Sequence, residues 1–230
     1  MATFVLVHGA WHGGWCWKKI VPLLRAEGHN VFTPTLTGLG ERAHLLTPDV
    51  DLTTHIQDIM GTLTYEGLNE VVLVGHSYGG MVIAGVADQA GARVGHVVYL
   101  DAFLPEDGKA LRDYAPGEVL DEMADARGEG WRLPSYMWAT DFDVTDPSDV
   151  TWINERLGDQ PYKTFTQPLM LTGHASPTAK RSYILTGAGF ASHANRARQA
   201  GFASYKLLSA GHDSMVTQPL ELTTLMISLV

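Results

Sequence analysis

Val71-Val72-Leu73-Val74-Gly75-His76-Ser77-Tyr78-Gly79-Gly80 is the stretch whose reading decides the fold. Four consecutive aliphatic residues read as a strand covered on both faces. Tyr78 to Ala90 is apolar and rich in small residues, which predicts a helix lying close on a sheet. Between them stands Ser77, with a glycine two residues before it and another two residues after. A serine on so sharp a turn has its hydroxyl exposed, and the chain passes this tightly only where the flanking positions carry no side chain. Strand, G-x-S-x-G turn and helix together imply a nucleophile at Ser77, and Gly80 extends the close contact of helix and strand.

Outward from this turn, short β-rich runs alternate with longer segments of helical spacing. That alternation marks the α/β class: a mostly parallel central sheet covered by helices on both faces. Candidate strands are Thr3 to Val7, Asn30 to Thr33, Glu70 to Val74, Val94 to Leu100, Arg181 to Leu185 and Ser204 to Leu208. Candidate helices are Trp17 to Glu27, ended by Gly28, Asp51 to Tyr65, opened by a capping carboxylate, Tyr78 to Ala90, and Pro219 to the C-terminus. The pattern breaks between Leu104 and Ser176, where Gly, Pro and Asp are dense and aromatic residues concentrate. Residues 105–175 are therefore expected to form an inserted cap over the site, with 1–104 and 176–230 as the core of a single domain.

The end of the first strand, His8-Gly9-Ala10, can place a backbone N–H across the carboxyl edge of the sheet from Ser77. Ala10 N–H and Tyr78 N–H are the candidate oxyanion hole, fixed donors for the charge that builds on a carbonyl oxygen under attack. Trp11, His12, Phe103, Trp131, Met137 and Trp138 are the expected substrate pocket. His8 and His12 would face one way only on a helix, which the glycines here disfavour, so no metal site is expected.

In hydrolases built on such a turn the chain order is serine, acid, histidine. His212 fits the base: Gly211-His212 lies in a loop after the last strand and before the last helix, and an imidazole titrates where it can take and return the serine proton. Leu171 to Gly211 contains no Asp or Glu, so the acid must come from elsewhere. Asp101, at the end of the strand beside that of Ser77, is the candidate, with Glu106 and Asp107 as alternatives. Asp213, next to the base, is poorly placed to bond it.

The net charge of -9 and the lack of clustered Lys and Arg argue against nucleic acid as a partner. The single cysteine, Cys16, offers neither an internal disulfide nor a metal-ligand spacing. With no apolar run of spanning length and no basic, cleavable start, the expectation is a cytoplasmic protein without membrane contact. The oligomeric state stays open, a homodimer among the options.

The chain resembles the plant methylesterase and hydroxynitrile lyase branch of the α/β-hydrolases, and more closely its bacterial esterase-like members. The likeness rests on Phe4-Val5-Leu6-Val7-His8-Gly9-Ala10-Trp11-His12-Gly13-Gly14-Trp15, Gly75-His76-Ser77-Tyr78-Gly79-Gly80, Tyr99-Leu100-Asp101-Ala102-Phe103-Leu104-Pro105 and Gly211-His212. It implies the α/β-hydrolase fold and a cofactor-free serine esterase acting with water on small esters or carbamates. The lyases of the branch carry a threonine after the first-strand histidine and a lysine after the catalytic one. Gly9 and Asp213 stand there instead, which favours hydrolysis over a lyase; a non-catalytic small-molecule receptor is the remaining alternative.

Overall fold

The computed structural model describes residues 1–207 and 210–230. In chain order it runs β1 (Thr3–Val7), α1 (Ile20–Ala26), β2 (Asn30–Phe32), α2 (Leu52–Tyr65), β3 (Val71–His76), α3 (Gly79–Ala90) and β4 (Val94–Leu100). An excursion follows with α4 (Gly117–Arg127), β5 (Arg132–Leu133), α5 (Pro147–Asn154), β6 (Gln160–Pro161) and α6 (Lys163–Thr166). The chain then returns through β7 (Lys180–Leu185), α7 (Ala191–Gln199), β8 (Ala203–Lys206), α8 (Ser214–Thr217) and α9 (Pro219–Ile227).

Six strands form one parallel sheet in the order β2-β1-β3-β4-β7-β8, and β5 pairs antiparallel with β6 in a separate ribbon. β3 is buried at every position, as doubly covered strands must be, whereas the edge strand β8 is largely exposed. From β1 the chain steps to one side for β2, then crosses to the other side for β3. Right-handed crossovers therefore put α1 on one face and α2 and α3 on the other; α1 packs on α9, and α2 on α3. The reversal opens a crevice at the carboxyl ends of β1 and β3, where parallel sheets bind ligands.

The expected elements are present with shifted ends. The first helix begins at Ile20, not Trp17, after a 3₁₀ turn over Gly14–Trp17. Pro22 has no N–H to give to an earlier carbonyl and is tolerated only in a first turn, so the helix cannot run through from Trp17. Asp51 caps α2 in a reciprocal pair with Thr54, accepting its N–H at 2.8 Å, a device worth about 1 kcal/mol. The last strand covers Ala203–Lys206; Leu208, expected at its end, lies outside the described residues. Helix α7 escapes the sequence reading because Ala191–Gln199 buries only His193 and Ala197.

The excursion between β4 and β7 is tied to the loop after β1. Trp11 donates its indole N–H to the Leu133 carbonyl (3.0 Å) and its backbone N–H to Gln160 Oε1 (3.1 Å). Gly158 N–H donates back to the Trp11 carbonyl (3.0 Å).

Candidate active site

From Val71 to Ile83 every residue is buried except Ser77. Its φ of 52° lies in the left-handed region that side chains other than glycine avoid. The turn is as tight as the motif demands: a Cβ on Gly75 would come within 2.6 Å of the Gly79 carbonyl oxygen, and one on Gly79 within 2.9 Å of the Val7 and His8 carbonyl oxygens. Six described residues other than glycine have positive φ, and four of them, Trp11, Ser77, Asp101 and Asp143, line one cavity of about 340 Å³. Each such residue costs of order 1–3 kcal/mol, and strain gathered around one cavity is the signature of a site held in shape by its surroundings.

His212 shares that cavity. Its Nδ1 is 2.8 Å from Asp101 Oδ2, and the carboxylate can only accept, so the ring nitrogen donates. Asp101 is buried, and its other oxygen accepts the backbone N–H groups of Thr186 (3.1 Å) and Gly187 (3.3 Å). The loop after β7 thus supplies two amides to hold a carboxylate that comes from the end of β4. Tyr183 braces the next residue, its hydroxyl donating to the Ala102 carbonyl (2.6 Å) and accepting the Ala102 N–H (3.1 Å). Above the imidazole, Phe190 stacks face to face at 5.1 Å and 3°. No hydrogen bond joins the Ser77 hydroxyl to His212 among the described residues; in a ligand-free site this bond is commonly long and tightens when substrate arrives.

Ala10 and Tyr78 both border the cavity, and among the described residues neither backbone N–H is taken by a protein acceptor. Two free amides flanking a serine hydroxyl are the donor set an oxyanion requires. The neighbouring histidines are occupied elsewhere. His8 accepts Leu36 N–H at Nε2 (3.1 Å) and donates from Nδ1 to the Gly9 carbonyl (2.8 Å); burial drives its pKa down to about 3, so it stays neutral. His76 donates from Nε2 to the His212 carbonyl (3.0 Å), bracing the histidine loop from behind.

The model of the alpha/beta hydrolase family matches residues 4–224, nearly the whole chain. The chain belongs to the alpha/beta hydrolase family. It is 41% identical to the carbendazim hydrolyzing esterase of Nocardioides sp. (strain SG-4G), over 96% of this chain and 97% of that protein. Methylesterase 1 of Arabidopsis thaliana is 34% identical over a match covering 61% of this chain and 50% of the plant protein. Among solved structures, an extracellular alpha/beta-hydrolase from Paenibacillus species superposes with a TM-score of 0.85 at 24% identity, covering 99% of this chain and 98% of the other.

In this alpha/beta hydrolase the residues expected to form the pocket divide. Trp11, Phe103 and Met137 line the cavity; His12, Trp131 and Trp138 do not. Trp138 is 63% exposed, and Trp131 packs under the Arg132 guanidinium at 5.6 Å. Both tryptophans cover the excursion's own outside, because aromatic density in a small insertion serves its packing as readily as a ligand. His12 is turned beneath the cavity floor, 3.2 Å from Asp213 Oδ2. The walls missed from sequence are Tyr136, Phe142, Phe165 and Phe190. Phe142 follows the exposed Trp138 by four positions, and no local signal separates the two before the chain is folded. Gln160, fully buried between Trp11 and Thr164, is equally illegible, since its partner Trp11 lies 149 residues away.

Proposed function

We propose that this protein cleaves small, neutral, partly aromatic esters and related carbamates through an acyl-enzyme on Ser77. It is a carboxylic ester hydrolase of the alpha/beta-hydrolase type, and the finer assignment is of residues to steps. His212 takes the Ser77 proton as the hydroxyl oxygen attacks the substrate carbonyl. Asp101, bonded to Nδ1, keeps that tautomer, so that Nε2 is the basic atom. Negative charge on the tetrahedral carbonyl oxygen is met by Ala10 N–H and Tyr78 N–H. Collapse expels the alcohol or amine, which takes the proton back from His212; water then repeats the sequence on the acyl group and frees Ser77.

The observation that carries this reading is the strained Ser77, opening into a cavity it shares with a histidine whose far nitrogen is held by a buried aspartate. Substrate class follows from the walls. Phe103, Tyr136, Met137, Phe142, Phe165 and Phe190 supply apolar and aromatic surface, while the charged residues on the lining are the acids Asp101, Asp141 and Asp143 beside His212, with no Lys or Arg among them. Such a lining disfavours a substrate carboxylate and gives no cation to stabilise an expelled cyanide, so hydrolysis is favoured over lyase chemistry. The names of the relatives, an esterase acting on carbendazim and a methylesterase, agree with this class. Residues 105–175 act in this reading as the cap that excludes bulk water.

A fluorophosphonate probe tests the assignment. Labelling is expected at Ser77 and lost in His212→Ala, and an aryl, methyl and carbamate panel then ranks the leaving groups. An unlabelled wild-type protein would mean a binding protein and sink the catalytic reading.

A further inference from the structure

Beneath the cavity lies a second histidine–aspartate pair for which the reaction sequence has no use. His12 is 2% exposed and Asp213 fully buried, and neither touches the cavity. His12 Nδ1 is 2.7 Å from the Ala10 carbonyl oxygen, and Nε2 is 3.2 Å from Asp213 Oδ2. The Ala10 carbonyl only accepts, and Asp213, its pKa lowered chiefly by His12 against the opposing effect of burial, is a carboxylate that only accepts; both ring nitrogens then donate, and an imidazole with two N–H groups carries a positive charge. Each partner adjoins a working part of the site. Ala10 contributes one of the two free amides, and Asp213 follows His212 directly, its own backbone N–H donating to the Phe142 carbonyl at 3.2 Å.

We propose that His12 is an imidazolium paired with the Asp213 carboxylate, and that this sealed pair is a positioning device clamping the oxyanion loop after β1 to the histidine loop before α8. The proposal rests on the reading of Ser77, His212 and Ala10 above. Holding the Ala10 carbonyl fixes the orientation of the residue whose N–H faces the developing oxyanion, while the shared carboxylate sets the height of the neighbouring imidazole. The groups facing the pair are His8, His76 and His212, with the Cys16 thiol near Asp213. Burial disfavours charge on His12, but the Asp213 carboxylate outweighs it and raises the pKa; burial likewise disfavours the Asp213 anion, and the charge and hydrogen bond of His12 lower its pKa. His76 stays neutral, pushed well down by burial first and then by its histidine neighbours, so the cation resides on His12.

Two readouts test this independently of one another. Nitrogen-15 NMR of imidazole-labelled protein, with the His12 signal assigned by its loss in His12→Gln, is expected to show two protonated ring nitrogens persisting above the pH at which an ordinary histidine loses its proton. In Asp213→Asn that signal becomes a neutral ring, which still donates to Ala10 from Nδ1 while its Nε2 accepts from the introduced side-chain amide. A wild-type His12 that is neutral at pH 7 overturns the proposal, whatever the protein's activity.

The second readout is turnover. The double variant His12→Phe/Asp213→Leu replaces the pair by apolar side chains, an exchange that proteins often tolerate without loss of stability. In folded double variant kcat is expected to fall by about 10²-fold, as when an oxyanion donor is lost, with KM changed by less than about threefold. Wild type is expected to lose kcat/KM as alkaline pH strips the His12 proton, and Asp213→Asn is expected to retain most of kcat without that fall. A folded double variant with wild-type kcat makes the pair structural only and overturns the proposal. If instead the wild type has no esterase activity while the NMR shows the imidazolium, the hydrolase reading fails and the clamp loses the reaction it was argued to serve.

Discussion

Two histidine–aspartate pairs lie side by side at the carboxyl edge of one sheet, each drawing one member from the consecutive residues His212 and Asp213. His212 with Asp101 (2.8 Å) opens on the cavity; His12 with Asp213 (3.2 Å) is sealed below it. The residue types are the same and the roles differ because of what the free edge of each ring meets. In the open pair one nitrogen is bonded and the other has no partner among the described residues, which is what the proposed proton exchange with Ser77 requires. In the sealed pair both are committed, so the ring cannot act as a base and its charge becomes part of the framework. A histidine beside an aspartate therefore says little until the second ring nitrogen is accounted for.

Changes in the open pair should have the larger kinetic effects. Ser77→Ala removes the proposed nucleophile and is expected to lower kcat by about 10⁶, measured on an activated aryl ester, with little effect on melting temperature. Asp101→Asn keeps the shape but frees the tautomer, and about 10⁴ should be lost from kcat; a loss under tenfold would mean that the proposed base works without a fixed tautomer and would remove Asp101 from the reaction.

The sealed pair should be read in stability against pH. His12 has its pKa raised, so its contribution is complete below the ordinary histidine value of 6.5 and disappears as pH rises through the raised value. Asp213 has its pKa lowered, so its contribution is complete above the ordinary value of 3.8 and disappears as pH falls through the lowered one. Between those two ordinary values the pair stabilises fully. Asp213→Asn should flatten the decline on both sides, a difference of several degrees in Tm, since about 1 kcal/mol moves a protein of this size by roughly 2–4 °C. The smallest effect expected is that of Trp138→Ala, whose exposed ring touches neither pair: kcat/KM should stay within about twofold of wild type.

The sheet is legible in the sequence because its information is local. Four aliphatic residues, a serine between two glycines and a run of small residues specify strand, turn and helix within ten positions, and the observed φ of Ser77 is what that spacing requires. Asp101 is reached by elimination, since no acid follows β7. What elimination cannot reveal is what holds a carboxylate from the end of β4 beside His212: Thr186 and Gly187 turn their amides on it. The lining is the least legible part, because Trp138 and Phe142 differ only in which way the folded excursion turns them. His12 reads as a pocket residue for a similar reason, its partner being 201 residues away.

The loop after β7 holds Asp101 through backbone amides alone, and a main-chain N–H is present whatever amino acid, proline apart, occupies the position. Residues 186–189 can therefore exchange their side chains over generations without releasing the Asp101 carboxylate. Three of them, Gly187, Ala188 and Gly189, also form a wall of the cavity. Selection for new esters has there a stretch of small residues to enlarge, in a part of the protein where variation in shape is uncoupled from the loss of chemistry.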